Sequence, residues 1–167
     1  VKIDFDRLAQ IEAWTLAQEK EAFDLIHRET MIRIGSDDIW KPAALAPVLE
    51  NIGMRLAKTS TGAPQIDKEL LKGAGHPVAA AILAARKVNK LRTTFAASIH
   101  KYHVKGRIHC SFHQIAREDE EGDQKGVRYG RLSAADPNMQ QQPSPDRDPV
   151  IAGEWRKIFI PEEGALW

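Results

Sequence analysis

Apolar residues are spread along residues 4 to 33 at Phe5, Leu8, Ile11, Leu16, Phe23, Leu25 and Ile26, among Glu, Gln, Lys and Ala and without internal Gly or Pro. That pattern predicts one long helix, ended by Gly35. A second helix is expected to reach Asn51 before Gly53. Pro42 suits its first turn, whereas Pro47 would remove a hydrogen bond inside it and kink it or delay its start. The polar stretch KTSTGAPQ from Lys58 is a loop, and Asp67 is placed to cap a short helix through Leu71 that stops at Gly73-Ala74-Gly75.

His76-Pro77 opens the strongest helical pattern. From Val78 to about Lys101, Val78, Ile82, Ala85, Val88, Leu91, Phe95 and Ile99 recur at steps of three and four and form a core face. At about 100° per residue, Lys87, Lys90, Thr94, Ser98 and Lys101 form a polar stripe beside it. Next, Ile108, Cys110 and Phe112 alternate with Arg107, His109, Ser111 and His113, as a half-buried strand requires. The charged run REDEEGDQKG is a solvated connection, Val127–Leu132 is the expected antiparallel partner, and Ile158 and Ile160, with Phe159 on the other face, make a short strand. Helices precede strands, so the class expected is α+β: a helical region over 1–105 followed by a small antiparallel sheet over 106–167.

With 167 residues, 43% of them hydrophobic, the chain can build one sizeable core with room for a satellite lobe. The longest apolar run, VAAAILAA, is too short for a membrane span, and no secretory leader is visible, so a cytoplasmic protein without a membrane partner is expected. The single Cys110 excludes an internal disulfide and the Cys-pair zinc patterns.

The net charge of +1 conceals a division: residues 1–69, 70–117 and 118–167 carry −3, +9 and −5, and the middle block has no carboxylate at all. A basic block of that kind, with His76, His100, His103, His109 and His113 in it, suits a polyanion. A basic face balanced by the acidic ends of the same molecule accounts for the charge equally well.

His100, His103, His109, Cys110 and His113 are dense enough to suggest zinc. In a strand, however, Cys110 would face away from His109 and His113, so solvated or nucleic-acid-facing histidines are the better reading. The acidic run Glu118–Asp123 is a loop, not a rigid magnesium site. No phosphate loop, dinucleotide fingerprint or nucleophile triad can be read, so no catalytic residue and no metal ligand is assigned. There remains GRLSAADPNMQQQP, residues 130–143, with Arg131, Asn138, Gln140, Gln141 and Gln142. On spacing alone this is a turn capped around Asp136-Pro137-Asn138. Together with a basic helix face, it suggests a duplex held by its phosphates while amides and a guanidinium meet acceptors in the groove.

GRLSAADPNMQQQP resembles the GRLSSSDPNLQN-P signature of family A DNA polymerases, the bacterial DNA polymerase I type. HPVAAAILAARKVNKLRTTF resembles that family's thumb helix and GRIHCSFHQ the palm strand after it. VKID, KTSTGAP and RKIFIPEEG fit in family order, so the resemblance covers nearly the whole chain. It implies a thumb over 1–105 and the first part of the palm over 106–167, ending before the D-Y-S-x-x-E motif that brings the first catalytic aspartate. The implied partners are primer-template DNA and the rest of the polymerase, with Mg²⁺ acting only in the complete enzyme and the fragment inactive alone. Lys90, Arg92 and Thr94 match backbone-contacting thumb positions, with Lys87 on the same stripe as Lys90. Arg131 matches an arginine reaching the minor groove, and Asn138, Gln140 and Gln141 match amides near the template and terminal pair. Departures are SAA after Leu132, Met139, Gln141 for asparagine, and an enlarged REDEEGDQKGVRY connection, which with Q-Q-P is similar to phage-type members. Against this stand two other classes, an independent non-enzymatic nucleic-acid-binding module and a metal-dependent fold using the His/Cys cluster.

Overall fold

The computed structural model describes residues 1–113, 132–146 and 148–165, and the backbone of residues 117–118 and 124–125. The architecture is α+β, and the chain divides into two compact units, Val1–Glu12 with Thr93–Trp167, and Ala13–Arg92.

Strand β1 (Lys2–Ile3) leads into helix α1 (Phe5–Thr30). Asp4 starts the helix by accepting from the Arg7 N–H at 2.9 Å. Its buried positions are Leu8, Ile11, Thr15, Glu19, Ala22, Ile26 and Thr30, spaced by three and four. Polar Thr15 and Glu19 therefore lie on the buried side, while Leu16 is exposed. The helix ends before Gly35: Thr30 Oγ1 donates back to the Ile26 carbonyl at 2.7 Å, and Met31 takes φ +58°.

In the Ala13–Arg92 unit, α2 (Pro42–Asn51) starts at Pro42 and carries Pro47 within it. Helix α3 (Lys68–Gly73) is capped by Asp67, which accepts from Leu70 N–H at 2.8 Å. Helix α4 (Pro77–Lys90) has Pro77 in its first turn and His76 Nδ1 accepting from Val78 N–H at 3.2 Å. One apolar cluster joins these helices to α1, with Ile26, Ile39, Leu45, Leu49, Val78 and Ile82 fully buried.

The helix predicted through Lys101 is not uniform. After α4 comes a π-helical stretch, Leu91–Ala96, and then α5 (Ala97–Tyr102). A π turn closes its hydrogen bonds over one more residue than an α turn, so each residue advances less around the axis. The polar stripe drawn with the α period therefore does not continue straight beyond Lys90, and Ser98 is half-buried.

In the other unit, β2 (His103–Val104), β3 (Arg107–Ile108), β1 and β8 (Phe159–Ile160) form an antiparallel sheet in the order β2-β3-β1-β8. The continuous strand expected across 107–113 is interrupted at His109-Cys110: β4 (Ser111–His113) belongs to a second sheet, paired with β7 (Ser133–Ala135). The partner expected at Val127–Leu132 lies, up to residue 131, outside the described residues. Within the charged connection, β5 (Arg117–Glu118) and β6 (Gln124–Lys125) pair as an antiparallel ribbon, where a loop was expected. Helix α6 (Pro149–Arg156), which the pattern did not predict, follows the proline-rich stretch and is capped by Asp148 on Ile151 N–H at 3.1 Å. It buries Ala152 and Trp155, and the Trp155 ring meets Phe95 and Phe159 at centroid distances of 6.0 and 6.4 Å. No described helix is long and apolar enough to cross a membrane.

Candidate nucleic-acid interface

Within the Ala13–Arg92 unit, α4 exposes Lys87 and Lys90 one turn apart. Behind them a chain of hydrogen bonds ties the helix to α1: Trp40 Nε1 donates to Asn89 Oδ1 at 2.9 Å, and Asn89 Nδ2 donates to Glu19 Oε1 at 2.8 Å. Arg92 Nη2 completes it on Glu19 Oε2 at 2.8 Å. The Glu19 side chain is only 3% exposed and that of Arg92 24%, so the Arg92 charge is largely committed to a buried carboxylate. Its Nε is buried with no partner among the described residues. Arg86 is engaged similarly: Nε donates to the Ile39 carbonyl at 2.7 Å, the guanidinium lies 5.3 Å above the Trp40 ring, and burial lowers its pKa. Of the cations between residues 86 and 92, Lys87 and Lys90 are the exposed ones, and these two are the ones that the α-period stripe held, with Arg86 and Arg92 off it.

In the other unit, Thr94 is exposed on the π stretch. His100 and His103 both pack around the Phe5 ring. His100 Nε2 lies 3.1 and 3.2 Å from the two Glu12 carboxylate oxygens, and the His103 ring packs edge-on against Phe5 at 4.8 Å. Among the described residues, no group of three or more His, Cys, Asp or Glu is arranged to hold a metal ion.

Asn138, Gln140 and Gln141 come together on one turn. Asn138 caps a 3₁₀ turn, Met139–Gln141, its Oδ1 accepting from the Gln140 N–H at 3.0 Å. That bond uses the amide oxygen and leaves Nδ2 of an exposed side chain as a donor. Gln140 Nε2 donates to the Leu132 carbonyl at 2.9 Å, which binds the turn to the start of β7. Gln141 is exposed on the same turn. The turn predicted from spacing and the amide cluster are thus the same object. Arg131 lies outside the described residues.

The sequence profile of DNA polymerase family A matches residues 8–167, and the chain belongs to that family. It is 51% identical over its whole length to a DNA-directed DNA polymerase of Pseudomonas phage M6. It is 38% identical, over 69% of its length, to DNA polymerase DpoZ of Vibrio phage phiVC8. It is 32% identical, over 96% of its length, to the thermostable DNA polymerase I of Thermus aquaticus. The chain spans 25% of the phage M6 protein and 17% of each of the other two. In fold it is similar to the POL domain of Pol1 from M. smegmatis, solved in complex with DNA primer-template and dNTP, with a TM-score of 0.72 and 24% identity over 99% of this chain and 27% of that one.

Proposed function

We propose that the chain is the part of a template-directed DNA polymerase that grips the primer-template duplex, with residues 1–105 serving as thumb and 106–167 as the start of the palm. The observation that carries this reading is the Asn138–Gln141 turn, in which Asn138 Oδ1 is spent on the cap and its Nδ2 is left to donate. Every Watson–Crick pair offers acceptors at similar minor-groove positions, so amide donors there sense pairing without reading sequence. Lys87 and Lys90 supply charge for phosphates, and Arg92, fixed by Glu19, holds the α4 face that presents these two lysines; Thr94 supplies a hydroxyl. Arg131 would reach the same groove. Nucleotidyl transfer in the complete enzyme uses Mg²⁺ ions to stabilise the attacking and leaving oxygens. This chain contains no D-Y-S-x-x-E sequence to hold them, so the remainder of the polymerase provides that chemistry and the chain alone is inactive.

The test is binding of a primer-template duplex to the chain over a salt series. Salt-sensitive binding supports the reading. Absence of binding at low salt by a folded chain contradicts it.

A further inference from the structure

Gln142 stands at the one position of the polymerase signature GRLSSSDPNLQN-P that the motif leaves open, so the resemblance assigns it nothing. In the structure its amide is engaged at both ends, with a further, longer contact from Nε2 to the Met139 sulfur at 3.9 Å. Its Oε1 accepts from Trp155 Nε1 at 2.8 Å, and its Nε2 donates to the Asn138 carbonyl at 3.1 Å. Trp155 is fully buried on α6, so its indole cannot turn away to find water, and its N–H needs an acceptor at that place. The acceptor in turn fixes which end of the Gln142 amide faces the turn. A longer contact from Arg156 Nε to the Pro143 carbonyl, 3.5 Å, runs in the same direction. Gln140 also anchors the turn, to the Leu132 carbonyl.

We infer that Gln142 is a positioning residue, which locks the Asn138–Gln141 turn onto the buried indole of Trp155 and so sets the angle at which its amides meet the duplex. This rests on the DNA-gripping reading above. A 3₁₀ turn of three residues has little stability of its own, and groups that must match a groove lose affinity when the binding conformation is not held in advance.

Four forms of the chain test it: the unaltered sequence, Gln142→Leu, Gln142→Glu, and Gln142→Leu combined with Trp155→Phe. Each is measured for primer-template affinity, thermal unfolding and the backbone amide NMR signals of residues 138–141. Gln142→Leu should weaken binding about tenfold and move those signals. The double variant leaves no indole N–H unpaired, so it should regain much of the thermal midpoint while remaining weak in binding. Gln142→Glu keeps the acceptor for Trp155 but sets an oxygen against the Asn138 carbonyl. Its affinity relative to the unaltered chain should be low at neutral pH and recover as pH falls toward the ordinary glutamate value of about 4.3. Affinity that follows the thermal midpoint across the variants, or Gln142→Leu binding as tightly as the unaltered chain, overturns the positioning role alone. No binding by the unaltered chain overturns the DNA reading itself, and the positioning role with it.

Discussion

Arg92, partly exposed, and buried Glu19 form an ion pair, Nη2 to Oε2 at 2.8 Å, that ties the start of the π stretch to the middle of α1. Glu19 also accepts from Asn89, so truncating it leaves two donors without their partner. Glu19→Ala is expected to cost about 3 kcal/mol, as removal of one member of a buried pair does. Glu19→Leu with Arg92→Leu should cost less than the two single changes added together, because no uncompensated charge remains. Chemical denaturation of the unaltered chain, Glu19→Ala, the two single leucine variants and their combination measures this, and simple additivity of the leucine changes would argue against a coupled pair.

The same pair separates Arg92 from its basic neighbours. Lys90→Ala should flatten the dependence of log affinity on log salt by about one unit, the mark of one lost phosphate contact. Arg92→Ala, whose charge is already matched by Glu19, should lower the folding midpoint and change the salt slope less. Binding titrations at several salt concentrations, at a temperature where both variants are folded, check the contrast.

Asp38 accepts from the Gly35 backbone N–H at 3.0 Å and lies 3.4 Å from Lys41 Nζ, and these two contacts hold its carboxyl below the usual aspartate range. A group depressed in the folded state contributes stability above its unfolded pKa, about 3.9, and loses it as pH falls through the lower folded value. The thermal midpoint of the unaltered chain should therefore exceed that of Asp38→Asn at pH 6, with the difference shrinking below about pH 4. A difference that grows with acidification would contradict the assignment.

Much of this was legible in the sequence because the signals were local. Asp67 before Lys68, and Pro77 after His76, mark helix starts that the structure reproduces, and the three-four spacing from Val78 to Val88 gives the buried face of α4. The π stretch was not legible, since Leu91, Phe95 and Ile99 keep an acceptable α spacing whether or not a turn widens. Burial of Glu19 was hidden for a different reason: its partners Asn89 and Arg92 are 70 and 73 residues away, and a lone Glu in a helix reads as solvated. Helix α6 could have been found, because Asp148-Pro149 is a cap followed by a first-turn proline, but the surrounding prolines masked it. In the turn, spacing located Asn138, Gln140 and Gln141. The role of Gln142 depended on Trp155, thirteen residues on, and no periodicity links them.

The most direct measurement combines a change in the protein with a change in the DNA. Adenine in successive terminal pairs of a primer-template is replaced by 3-deazaadenine, which lacks the minor-groove N3 acceptor, and affinity is measured for the unaltered chain and for Asn138→Ala. If the turn grips the groove, one substitution near the primer end weakens binding of the unaltered chain about fivefold, the worth of about one hydrogen bond, and has little further effect on Asn138→Ala. Losses that are absent at every position, or that are as large in Asn138→Ala as in the unaltered chain, would contradict the account.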